Sequence, residues 1–154
     1  MRFNIRQAAA GVAAVTTLAM GIIVGFEGKS NTAYPDPVAI PTICYGHTKD
    51  VRYGDYRTDE ECLAFLEEDV AHAAAVVDRL VKVPIEDHTK AALISFVYNV
   101  GEGNFARSTL LRKLNAGDIT GACNELPRWV YSKGTKLNGL VRRREAEREL
   151  CLGD

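Results

Sequence analysis

The chain has 154 residues, a formal net charge of −1 and no low-complexity tract or repeat. That length suits one domain with a real hydrophobic core and is too short for two. The near-neutral charge gives no bulk attraction to nucleic acid or anionic lipid, which argues against a nucleic-acid-binding protein.

The N-terminus opens on an uncharged run, Ala8 to Phe26, with Arg2 and Arg6 ahead of it and Glu27 directly behind. As a helix, its 19 residues would reach roughly 28 Å, about one hydrocarbon thickness. The two arginines would keep the N-terminus in the cytoplasm and send the rest outward. Nine of the 19 residues are Ala or Gly, and Thr16 and Thr17 sit mid-run. Small side chains gain little on entering lipid, so such a helix lies near the insertion threshold and could repack in a protein core. Three readings are open: a signal peptide cleaved near Ala19, the buried first helix of a cytosolic protein, and an uncleaved signal-anchor that is later released. The third fits best, because cleavage would leave only a stub before Glu27.

Pro35, Pro37 and Pro41 then break helix and force an extended, turning path, and Thr42 to Thr48 reads as a short strand with a Gly bend. Thr58 and Glu61 have capping-box spacing ahead of a helix carrying Leu63, Leu66, Val70, Ala73, Val77 and Leu80, which closes before Pro84. A second helix starts near Asp87, buries Ala91, Ala92, Ile94 and Val97, and is stopped by Gly101 and Gly103. Ser108 caps a short helix that Gly117 ends. ITGACNELPRWVYSKG reads as helix, interrupted by Pro127 only if that proline lies past a first turn, and LVRRREAERELC as the final helix. The sum is a mostly helical α+β domain with one short β-hairpin region among about six helices.

Arg142, Arg143 and Arg144 read as a solvated helix face, with attraction to an anionic cell-wall polymer as the alternative. Cys44, Cys62, Cys123 and Cys151 favour disulfides outside the cytoplasm and buried thiols inside it. They form no CxxC or Cys/His pairing, so neither metal nor cofactor is expected. His47 suits a structural role, paired with Asp69. Trp129, with Val130 and Tyr131, reads as core rather than as a sugar platform.

Cutting a glycosidic bond needs a proton donor and a second carboxylate across the sugar. Glu27, behind apolar Phe26, would be partly desolvated, which raises a carboxyl pKa and keeps its proton available. Asp36, among prolines and polar residues, would stay ionised, and the Thr42 hydroxyl could help it hold a water. Spacing alone is weak support, because the chain holds 20 acidic residues.

The segment Glu27-x8-Asp36-x5-Thr42, followed by ICYGHT, closely resembles the catalytic signature of phage-type lysozymes, glycoside hydrolase family 24. TDEECLAFLEEDV, ALISFVYNVGEGNF, STLLRKLNAGD and RWVYSKGTKLNGLVRRREAERELC agree in order, so the resemblance covers roughly residues 26–152. It implies a lysozyme-like domain that hydrolyses, with inversion, the β-1,4 bond between N-acetylmuramic acid and N-acetylglucosamine of peptidoglycan. Glu27 would be the general acid, Asp36 the water-positioning carboxylate and Thr42 the hydroxyl sharing that water. Thr48 and Asn138 would line the substrate cleft. The N-terminal run resembles the signal-arrest-release segment of a subset of these endolysins. Residues 1–26 would then be an anchor that becomes the first helix, and residues 27–154 the catalytic domain. The resemblance implies a monomer held at the host inner membrane through residues 8–26 with its domain in the periplasm. A holin-type membrane-depolarising protein would release it into the soluble periplasm. Some relatives carry a cysteine at the second catalytic position or in the anchor; here position 36 is Asp and the run has none, so a disulfide blockade of the catalytic residue is not expected. The cysteines are expected to pair as Cys44–Cys62 and Cys123–Cys151, with free core thiols as the alternative. A lytic transglycosylase and a non-catalytic membrane-lesion or wall-binding protein are the competing functions.

Overall fold

A computed structural model describes residues 5–154, with side chains from Gly11 onward. Arg2 lies outside the described residues, as do the side chains of Arg6 and of Ala8 to Ala10.

The apolar run forms a single helix, α1 (Ile5–Glu27). Val15, Ala19 and Ile23 recur every fourth residue and are buried, the spacing that lays one stripe against a core. The opposite face stays in solvent although it is apolar, with Val12 63% exposed. Among the residues described with their side chains, from Gly11 onward, no helix is long and apolar enough to cross a membrane.

An antiparallel pair, β1 (Ser30–Pro35) and β2 (Pro41–Cys44), follows, with Tyr34 opposite Thr42. Next come α2 (Asp59–Leu80), α3 (Asp87–Val100), α4 (Glu102–Ala106), α5 (Thr109–Asn115) and α6 (Ile119–Cys123). A single 3₁₀ turn (Leu126–Arg128), a hairpin of β3 (Tyr131–Ser132) and β4 (Thr135–Lys136), and α7 (Asn138–Leu152) complete the chain. The fold is α+β and mostly helical.

Helix α3 is the hub. It is buried almost continuously from Ala91 to Val97, and α1, α2 and α7 all pack on it. Helices apolar all round belong in the interior, and this one organises the core. A smaller cluster of Ile43, Cys44 and Cys62 sits under the first hairpin. The Cys44–Cys62 disulfide ties that hairpin to the first turns of α2, and Cys123–Cys151 ties α6 to the end of α7.

The local start signals hold. Thr58 and Glu61 form a reciprocal capping box, and the Ser108 side chain accepts from the Leu111 amide at 3.0 Å. Gly101 ends α3 with φ +86, but Gly103 lies inside α4 and stops nothing.

Two further sequence expectations are corrected. ITGACNELPRWVYSKG is not one helix: Pro127 lacks an amide donor and supports only a 3₁₀ turn, and the chain then reverses at Lys133 and Gly134. Those two residues have φ of 49° and 77°, the pair of positive values that a tight two-residue hairpin turn requires. The basic run is not a solvated face either. Arg142 is exposed, but Arg143 is only 3% exposed and Arg144 is wholly buried. Both turn inward because Glu147, four and three residues on and also wholly buried, neutralises them from the same helix face.

Candidate active site

Glu27 is the last residue of α1, so the packing of that helix fixes where its carboxylate stands. Its side chain is 21% exposed and accepts from Arg143 Nη1 through Oε1 at 2.5 Å. The other oxygen, Oε2, rests over Gly46, where a Cβ would stand only 3.2 Å away. Gly46 also has φ +88, so glycine is needed there for conformation and for space. The apolar setting expected for Glu27 is therefore replaced by a guanidinium.

Arg143 is itself held. Its Nε donates to Glu147 Oε1 at 3.1 Å, and Nη2 donates to the Ser95 carbonyl at 3.2 Å. Glu147 also accepts from Ser95 Oγ at 2.7 Å and from Arg144 Nη1 at 2.7 Å. Arg144 Nη2 donates to Asn99, and its guanidinium lies 5.0 Å from the Phe96 ring centre. Burial pulls Arg144 down to about 10, which leaves it charged at neutral pH.

Asp36 tops the β1–β2 loop. Its Oδ1 accepts from the amides of Val38 and Ile40, both at 2.8 Å, a charge-assisted pair that pins the carboxylate. Its Oδ2 accepts no hydrogen bond from the described residues. Thr42, buried in β2, donates to the Ile40 carbonyl at 3.0 Å, the same oxygen that accepts from the Asp36 amide. Asp36 and Thr42 are thus ordered around one peptide unit. The Tyr34 phenol is pushed up first by burial and then by the carboxylates of Glu27 and Asp36, which places it within the field of both.

A cavity of about 610 Å³ opens beside Glu27, lined by Phe26, Pro37, Asn99, Leu137 and Arg143. Lys133, at the β3–β4 turn, donates to the Pro37 carbonyl at 2.8 Å and joins the second hairpin to the Asp36 loop. Thr48 lines a separate cavity of about 250 Å³ with Gly46, His47 and Tyr98. Asn138 is exposed at the start of α7, between two residues that line the Glu27 cavity, but does not itself line it.

His47 Nδ1 donates to Asp69 Oδ2 at 2.7 Å and stacks on Phe65, as a structural histidine would. Trp129 packs edge-on against Phe96 while also lining a third cavity with Asn99 and Tyr131. Among the described residues no group of His, Cys, Asp and Glu side chains is disposed to hold a metal.

The family model for phage lysozyme matches residues 24–147, from just before Glu27 to the buried Glu147. The chain belongs to the phage lysozyme family. It is similar to a SAR-endolysin of Bacteriophage PS119, at 48% identity over 94% of this chain and 87% of that one. Among solved structures, this phage lysozyme resembles the active form of the P1 phage endolysin Lyz, with a TM-score of 0.80 and 26% identity over 94% of this chain and 92% of that one. The secreted inactive form of the same endolysin gives a TM-score of 0.56 and 28% identity over 68% and 74%.

The sequence reading missed Arg143, Arg144, Glu147, Ser95 and Asn99 as members of the site. A signal was present in RRREAE, where each of two arginines has a glutamate at helical pairing distance.

Proposed function

We propose that this phage lysozyme, a glycoside hydrolase, cuts the β-1,4 bond between N-acetylmuramic acid and N-acetylglucosamine of peptidoglycan with inversion. Glu27 is the general acid. Because Arg143 occupies Oε1, the proton is carried on Oε2 and passes to the leaving oxygen. As it leaves, the developing carboxylate faces a buried guanidinium already in position, an arrangement that stabilises charge without reorganisation. Asp36, with Oδ1 pinned and Oδ2 free of protein donors, orients the attacking water with the Thr42 hydroxyl. Asn138 would meet the polymer at the edge of the Glu27 cavity, between Leu137 and Gly139, and Thr48 in the separate cavity that Gly46 also lines.

The same reading extends to control. Residues 1–26 export the enzyme and hold it at the host inner membrane as an inactive monomer, its N-terminus cytoplasmic and its domain periplasmic. A holin-type depolarising protein frees it to the soluble periplasm, where α1 docks and delivers Glu27. The name SAR-endolysin borne by relatives supports this, as does the greater likeness to the active than to the inactive form of the P1 endolysin.

The observation that carries the reading is Glu27 at the end of a core-packed helix, clamped through one oxygen by Arg143. Digestion of purified peptidoglycan with product analysis tests it. Reducing ends are expected from the wild type, and Glu27→Gln should lose at least about 100-fold in rate. Products ending in 1,6-anhydro sugars would overturn hydrolysis in favour of transglycosylation.

A further inference from the structure

We infer that Glu147 is a positioning residue for the reaction: it aims the Arg143 guanidinium so that Arg143 holds Glu27 by Oε1 and leaves Oε2 free for proton transfer. The inference rests on Glu27 being the general acid, and it concerns a residue that touches neither substrate nor cleft.

The geometry is a chain of charges running inward from the cleft. Glu27 is the only partly exposed member; behind it Arg143, Glu147 and Arg144 are all buried. Glu147 Oε1 takes the Arg143 Nε at 3.1 Å, the atom nearest the hinge of that planar group, so it sets the direction in which Nη1 points. Ser95 closes the frame, donating from Oγ to Glu147 and accepting from Arg143 Nη2 through its carbonyl. Burial pushes the Glu147 carboxyl up, but Ser95, Arg143 and Arg144 all donate to its two oxygens, an arrangement only the carboxylate satisfies. Without it, Arg143 and Arg144 would share the interior as two like charges.

Glu147 serves both arginines, but they differ in what they touch next: Arg144 ends on Asn99, whereas Arg143 carries the chain of charges on to Glu27. A buried group that fixes the rotamer of a residue contacting the reacting carboxyl is the means by which sites hold sub-ångström geometry.

Glu27 meets Arg143 from α7, with Arg144 beside Arg143 on the same helix, and no charged residue of α1 lies between Gly11 and Phe26. Glu147→Gln replaces the charged acceptor of Arg143 Nε by a neutral amide and weakens the bond that aims the guanidinium at Glu27.

The test measures kcat and KM of peptidoglycan hydrolysis for wild type, Glu27→Gln, Glu147→Gln and Ser95→Ala, with thermal melts to establish folding. For folded Glu147→Gln, kcat should fall about 10- to 100-fold with KM within about twofold. Loss of stability without altered geometry would leave the kcat of the folded fraction unchanged. Unchanged kcat would overturn the inference. If Glu147→Gln does not fold, Ser95→Ala decides: a several-fold loss of kcat at constant KM supports the positioning role, and wild-type kcat overturns it. An inactive wild type or an active Glu27→Gln would instead overturn the assignment of Glu27, whatever the other variants do.

Discussion

Gly46 shows how much the site depends on a single missing side chain. Glu27 cannot retreat from a new Cβ, because Arg143 holds its other oxygen at 2.5 Å. Gly46→Ala is therefore expected to cost about 1–2 kcal/mol from the positive φ and, through the displaced carboxylate, about tenfold in kcat. Chemical denaturation and steady-state assays would check the two parts separately. Glu27, Asp36 and Thr42 can be proposed from the sequence because they lie close together in the chain and match a known signature. His47 with Asp69, and Thr58 with Glu61, were legible because charge and hydroxyl chemistry leaves few local partners. Arg143 was not. Its partner Glu27 is 116 positions away, and an arginine run is ordinarily solvated, so nothing local distinguishes inward from outward.

At the scale of elements, the decisive one is α1, whose C-terminal residue is the proposed acid. Ile23 lies one turn before Glu27 and is fully buried, so its side chain sets the seating of the last turn. Ile23→Ala should destabilise by about 3 kcal/mol and lower activity further than stability alone accounts for, whereas exposed Val24→Ala should cost under about 0.5 kcal/mol. Thermal melts paired with rates at a temperature where both variants are folded would check this. That α1 is helical followed from its composition; which stripe faces the core did not, because nearly every residue in it is apolar or small. The β3–β4 hairpin was missed for a related reason. Its strands are two residues each, too short for any alternation to register, and only the Lys133–Gly134 turn betrays it.

For the whole molecule, the proposed release would require α1 to satisfy two environments. A soluble helix would normally carry charge on its solvent face, yet Val12, Leu18 and Val24 are exposed with no charged residue among them. That composition is poor for a surface helix and poor for a strong anchor, and it suits the proposed passage from lipid to a core. From Gly11 onward, Ala19 is the small residue of α1 that is buried in the core, while Gly21 and Gly25 have open space where a side chain would stand. The disulfides bear on other junctions, the first hairpin with α2 and α6 with α7, and leave α1 free of covalent ties to the domain.

The central claim is that α1, once docked, completes the active site by delivering Glu27. The most direct test compares peptidoglycan hydrolysis by the full chain in detergent-free buffer with that of a chain lacking residues 1–25, with Glu27→Gln as the inactive reference. The account predicts activity from the full chain alone, the shortened chain falling to the level of Glu27→Gln although Glu27 itself is retained. A shortened chain as active as the full one would contradict it and reduce the N-terminal run to an address.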